Sequence, residues 1–157
     1  MTATFVPSFR AMFSKACEYG IRASIFVGQQ SAAGRRVSLG DIAREIGSPE
    51  AFTAKVLQQL VRAQLMESRK GPAGGFELTA AQLNEVTLRQ IVVAIDGGAM
   101  LSGCALGLPH CSAKHPCPMH YQFLPIRDQL NEVLRNHTIG ELADGVHEGL
   151  SFLRQNT

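Results

Sequence analysis

Apolar residues recur at helical spacing along most of this chain, in segments separated by glycine- and proline-bearing turns. Phe13, Cys17, Ile21, Ser24 and Ile25 share one face, with Phe26 beside them, and predict a helix from about Phe13 to Gln29. On that face Cys17 reads as a small packed apolar residue rather than a metal ligand. Ser31–Arg36 reads as a turn. Ser38, with Asp41 three residues on, announces a short second helix whose inner stripe is Leu39, Ile42 and Ile46 and which Gly47 ends. Ser48-Pro49 then opens a third helix, with serine as N-cap and proline at the first helical position. It runs to about Gln64 and buries Phe52, Val56, Leu57 and Leu60. Two short helices joined by a glycine turn form a helix-turn-helix pattern.

The period then changes. Leu65–Arg69 reads as a strand, Lys70–Gly75 as a glycine-rich turn and Phe76–Leu78 as a returning strand, which together make a wing. Glycines at 71, 74 and 75 permit close backbone approach to a partner, and Arg69 and Lys70 offer phosphate or minor-groove contacts. Thr87, with Gln90, caps a fourth helix packed through Leu88, Ile91, Val92 and Ile95, and Asp96-Gly-Gly98 stops it. A longer amphipathic helix from Tyr121 to about Asn136 carries Phe123, Leu124, Ile126, Leu130, Val133 and Leu134. Thr138 and Glu141 cap a last helix that continues through Leu142, Val146, Leu150 and Leu153. This tail is more apolar than one small DNA-binding module needs, so a dimer seam is its expected use. Residues 1–11 carry no periodicity and read as a loose arm.

Composition narrows the class without naming a partner. The chain has 157 residues, 45% of them hydrophobic and 18% charged, enough for one real core. The apolar runs are too short to span a bilayer, and no basic region followed by an apolar stretch marks a signal peptide. The cytoplasm is therefore the expected compartment, with no membrane partner. A net charge of +2 requires that any nucleic-acid surface be concentrated locally. The outward positions of the third helix include Ala51, Ala54, Lys55, Gln58 and Arg62. Gln58 can pair with an adenine edge and Lys55 with guanine or phosphate.

Candidate chemistry is gathered in one stretch, Cys104 to His120. Cys104, Cys111 and Cys117 stand in C-x6-C-x5-C spacing, with His110, His115 and His120 among or just after them. Pro109, Pro116 and Pro118 forbid a continuous helix, so the stretch is an irregular loop. Clustered thiolates in a reducing compartment are ligands rather than disulfides, and suit zinc, copper or an iron–sulfur cluster. The gaps are too wide for the C-x2-C knuckle of a zinc ribbon but not for a loop folded over a cluster. His120 begins the long helix, where a side chain tilts back towards the preceding loop. No glycine-rich nucleotide loop, Ser-His-Asp constellation or H-E-x-x-H helix supports a small metal or redox enzyme, the reading from another class.

These residues resemble the winged-helix transcription regulators of the IscR, NsrR, RirA and CymR type. The resemblance runs from about Met12 to Leu153 and rests on Phe13–Tyr19, Ile42-Ala43, Phe52–Leu60, Arg69-Lys-Gly-Pro-Ala-Gly-Gly-Phe76 and the cysteine loop after Ile95-Asp-Gly97. It implies a mainly α fold with a small β-wing: a winged helix-turn-helix domain over 12–82 and a cysteine-loop sensor and dimerisation region over 83–157, in one unit. It further implies a homodimer on a double-stranded DNA operator, with a cluster in each subunit that modulates binding. Cys104, Cys111 and Cys117 match the family's cysteine ligands and His120 the histidine of the IscR branch. Glu18 lies near the position where other branches take an acidic ligand from the partner subunit. The first cysteine gap is one residue longer than in the sensors of this type, which leaves [2Fe-2S], slightly favoured, against [4Fe-4S]. Zinc binding and cysteine oxidation stay open as alternative sensing chemistries. The DNA contacts implied are Ser48, Ala51, Lys55, Gln58, Arg69, Lys70 and Gly74.

Overall fold

In the computed structural model, which describes residues 12–154, hydroxyl side chains start most of the helices. Ser14 accepts from the Cys17 amide at the head of α1 (Lys15–Ala32), and Ser38 from the Asp41 amide at the head of α2 (Leu39–Ile46). Gly47, at φ 65°, closes α2 in the left-handed conformation, and α3 (Glu50–Arg62) follows. An antiparallel hairpin, β1 (Glu67–Arg69) and β2 (Gly75–Glu77), sets Ser68 opposite Phe76. Capping boxes Thr79/Gln82 and Thr87/Gln90 start α4 (Ala80–Glu85) and α5 (Leu88–Asp96). A single turn, α6 (Ala99–Ser102), leads into the cysteine loop. Then come α7 (His120–Arg135) and α8 (Ile139–His147), the latter capped by Thr138 and Glu141. The architecture is the expected mainly α fold with a small β-wing.

Several expectations are corrected. Helix α1 runs past Gln29 and takes in Ser31 and Ala32, because its turn is made by Gly34 at φ 73°. The N-cap of α3 is Pro49, without a side-chain cap, and not Ser48. The Ser48 amide is spent on the Ala43 carbonyl, closing α2, and its hydroxyl is turned to Thr53. Phe52 is not core: it is 37% exposed, edge-on to Tyr19 at 5.7 Å, and Thr53 takes the buried place. Leu65 and Met66 are buried, but they precede the strand instead of belonging to it. Helices α4 and α6 have no counterpart in the expectations. The last helix stops at His147, leaving Leu150 77% exposed. The arm over residues 1–11 lies outside the described residues.

Helix α1 is the spine. It packs against α2, α3, α5 and α8 at once, so Ile25 and Val27 are buried with Ile42, Leu57, Leu60, Ile91 and Ile139. Gly28 makes the α8 crossing possible: a Cβ there would lie 3.1 Å from Ile139 Cγ2 and 3.4 Å from Ala143 Cβ. Helix α8 thus buries its stripe within its own chain, whereas α7 keeps an apolar side turned out. Tyr121, Phe123, Ile126 and Val133 are exposed there, while Leu134 is buried. A second, smaller core joins Cys17, Val92, Leu101 and Leu134, with Phe13, Met100 and Leu130 against it. Its position brackets the cysteine loop, since Leu101 lies just before that loop and Leu134 on the helix after it.

Cys17 is fully buried in this second core. Burial pushes its thiol up to about 12, and Asp96 adds in the same direction. Folding therefore favours the protonated thiol. The stability this contributes is present below the ordinary thiol value of 9.0 and is lost as pH rises from there towards about 12. Native protein at pH 8 is expected to leave Cys17 unalkylated while the loop cysteines react, and to label it only on unfolding. Mass spectrometry of iodoacetamide-treated protein across a urea series checks this; native labelling of Cys17 at the loop's rate would contradict the packing.

Candidate functional site

The structure places the predicted residues in two regions. The first lies between α3 and the hairpin. Burial of Thr53, Val56, Leu57 and Leu60 on the inner side of α3 leaves Ala51, Lys55, Gln58 and Arg62 on the outer side, all exposed. The hairpin stands beside that outer side across a groove lined by Gln58, Arg62, Arg69, Lys70 and Phe76. Arg69 is 69% exposed and reaches Glu77 Oε1 at 3.4 Å; Arg36 holds the same oxygen at 2.8 Å. Glu77 thus offsets part of the charge of Arg69, and Lys70 at the tip has no such partner among the described residues. Ser48 is half-buried and engaged with Thr53.

The wing glycines have an internal reason. Gly74 donates to the Gly71 carbonyl at 2.9 Å, closing the tip. Gly75 has φ 132°, and a Cβ on it would stand 2.5 Å from the Val37 carbonyl oxygen. That approach lets Val37 and Phe76 exchange two backbone hydrogen bonds, at 2.8 and 3.0 Å, which dock the hairpin onto the residue just before α2. Arg36 adds a bond to the Ala73 carbonyl at 2.8 Å. The pairing with Val37 was not legible beforehand, because a single-residue bridge has no periodicity to find.

The second region is the cysteine loop, which has no regular structure from Cys104 to Met119. All three loop cysteines are free thiols and half-buried. The nearby backbone N–H groups of Leu108 and Leu106 hold the Cys104 thiol below the ordinary range, with a smaller contribution from the neighbouring Cys117. His120 is 7% exposed at the first position of α7, its amide bonded to the Cys117 carbonyl at 3.0 Å. Its ring Nδ1 lies 3.4 Å from Cys111 Sγ. The donors therefore fall into two neighbouring pairs, Cys104 with Cys117 and Cys111 with His120. Among the described residues no three His, Cys, Asp or Glu side chains close on one point as ligands of a single metal ion. His110 and His115 are exposed. Glu18 is 24% exposed and paired with Lys15 at 2.7 Å.

A family model described as Rrf2, iron-dependent transcriptional regulator, matches residues 13–145. An HTH-type transcriptional regulator of Aquifex aeolicus is 32% identical over 111 residues, 69% of this chain and 76% of its own. The HTH-type transcriptional regulator IscR of Escherichia coli is 27% identical over 126 residues, 80% of this chain and 76% of its own. Among solved structures, CymR, the global cysteine regulator of B. subtilis, superposes with a TM-score of 0.69 at 22% identity, covering 85% of this chain and 97% of its own.

Gly75→Ala tests the docking of the hairpin. Alanine must adopt a positive φ and press on Val37, which is expected to cost about 1–3 kcal/mol. Urea unfolding measures the loss, and amide exchange is expected to lose protection at Val37 and Phe76 while α5 and α8 keep theirs.

Proposed function

The chain belongs to the Rrf2 family of transcriptional regulators, and we propose that it reads a DNA operator as a homodimer under control of an iron–sulfur cluster held by Cys104, Cys111, Cys117 and His120. The single observation that carries the reading is the pairing of four donors, three thiols on one irregular loop and the imidazole that opens the next helix, attached to a helix-turn-helix and wing. A structural zinc ion needs four donors about one point, whereas a two-iron cluster takes two ligands at each iron. The donor set fits a cluster by its chemistry, since three half-buried thiols and one imidazole beside them are available. When bound, a cluster supplies a redox and ligand-exchange response to oxidants, nitric oxide or iron supply. The first residue of α7 as fourth ligand ties that response to the helix whose exposed Ile126 and Val133 offer a two-fold seam. Glu18 of a partner is the competing fourth ligand.

In this reading residues 12–82 contact DNA and residues 83–157 sense and dimerise, in the cytoplasm. Helix α3 enters the major groove, Gln58 and Lys55 meet base edges, and Arg69, Lys70 and the Gly74 turn hold the flanking backbone. Ala51 and Ser48 stand at the helix entrance. A second sensing chemistry is favoured by one contact. Cys104 and Cys117 are neighbours, so an oxidant that takes two electrons and two protons joins them as a disulfide. That alternative keeps the same DNA-binding face. The enzyme alternative is set aside, because the family and the relatives it matches are transcriptional regulators.

Protein prepared without oxygen is expected to be brown, with broad visible absorption, iron and acid-labile sulfide. Cys111→Ala is expected to bleach it and Cys17→Ala to leave it coloured. His120→Ala is expected to alter the cluster's resonance spectrum. An unchanged cluster in His120→Ala, with loss in Glu18→Ala, would move the fourth ligand to the partner subunit. A colourless preparation with stoichiometric zinc would sink the cluster reading, and an intact Cys104–Cys117 disulfide in aerobic protein without iron would favour the thiol switch.

On DNA, Lys55→Ala and Gln58→Ala are expected to relax preference at particular bases by about 1–3 kcal/mol. Lys70→Ala is expected to weaken all sequences alike and flatten the salt dependence, with a smaller effect from Arg69→Ala because Glu77 already offsets that charge. Binding of operator and scrambled duplexes over a salt series measures both; four silent variants would refute the proposed docking face.

A further inference from the structure

One side chain outside the proposed ligand set closes on it. Arg127 lies two turns after His120 on α7 and therefore faces the same way. Its Nη1 and Nη2 donate to Cys111 Sγ at 3.3 and 3.4 Å, both prongs meeting one sulfur. Nη1 also donates to the Ser102 carbonyl at 3.5 Å and to the Gly103 carbonyl, where α6 ends. Among the described residues no carboxylate stands within salt-bridge distance of this guanidinium. A half-buried, permanently charged fork that meets carbonyls and a sulfur, and no acid, is arranged around the sulfur.

We propose that Arg127 is a positioning residue of the cysteine site: its guanidinium fixes where Cys111 sits, fastens the loop to the end of α6 and sets a positive charge beside the sulfur. This rests on the cluster reading of the site. Cys111 lies in the middle of a loop that prolines keep out of any helix, so it has no backbone ladder to hold it. His120 and Arg127 supply that hold from α7. A hydrogen-bonded, positively flanked sulfur donates less charge to iron, so the arrangement favours the reduced state of a bound cluster and raises its potential. Lysine keeps the charge but not the fork, which separates the two contributions.

Parent, Arg127→Met and Arg127→Lys proteins, each checked for parental helix content, are loaded anaerobically with ferrous iron and sulfide. Arg127→Met is expected to bind a cluster whose one-electron reduction equilibrium is about tenfold less favourable, a midpoint about 59 mV lower. It is expected to lose iron to a chelator several-fold faster than the parent. Arg127→Lys is expected to recover most of the midpoint but not the retention. In metal-free protein, amide exchange over residues 102–112 is expected to quicken several-fold in Arg127→Met, because the tie between α6, the loop and α7 is cut. Unchanged midpoint, retention and exchange in Arg127→Met would overturn the proposal. A parent that takes up no iron would instead overturn the cluster reading, and the exchange measurement then decides the positioning of Cys111 by itself.

Discussion

The small core of Cys17, Val92, Leu101 and Leu134 decides where the chemistry of this protein sits. The loop from Cys104 to Met119 has no ladder of its own, and its prolines prevent one. Packing fixes the elements at its two ends: Leu101 is buried just before it and Leu134 anchors the helix after it. Truncating a buried leucine in such a place removes about 2–5 kcal/mol by itself and would also release a loop end. The buried thiol of Cys17 belongs to this packing, which is why one of four cysteines is chemically apart from the other three.

The same core ties the loop to the helix-turn-helix through α1. At its head, Asp96 accepts the Ser14 amide at 3.0 Å and the Ser14 hydroxyl, locking the end of α5 to the start of α1. Along its length, Tyr19 meets Phe52 of α3 edge-on, and Arg22 donates to the Ile46 carbonyl at the helix-turn-helix corner and to the Leu153 carbonyl at 2.9 Å. A change in the loop that shifts α5 reaches α3 both through α1 and directly, since α5 packs against α1 and α3 alike. Under the proposed function these contacts form a physical route from ligand loop to reading helix. A second route runs along α7 to the exposed seam, where a small rotation changes the spacing of two reading heads.

Much of this is legible in the sequence. Caps are local: Ser38 with the Asp41 amide, Thr87 with Gln90 and Thr138 with Glu141 lie three residues apart, so sequence spacing alone places those helix starts. The stripe Val56, Leu57 and Leu60 likewise dictates which side of α3 turns in, and so which residues stay on its outer side. The three cysteines and the helix-start histidine could be gathered as donors because they are close along the chain. The errors were also local in cause. Ser48 looked like a cap but had already been taken by the end of α2, and Phe52 looked like core at a place where α1 offers only an edge contact.

What lay beyond reach was everything fixed by partners distant in the chain. Only the fold pairs Val37 with Phe76, lets Glu77 serve both Arg36 and Arg69, and seats α8 on Gly28 within the same chain. Only the fold sorts the loop donors into Cys104 with Cys117 and Cys111 with His120, and brings Arg127 onto Cys111 across sixteen residues. Periodicity and capping report the free energy of short segments, to which these contacts contribute nothing. They arise when helices cross, and the crossing is set by which side chains happen to be small or buried at the meeting point.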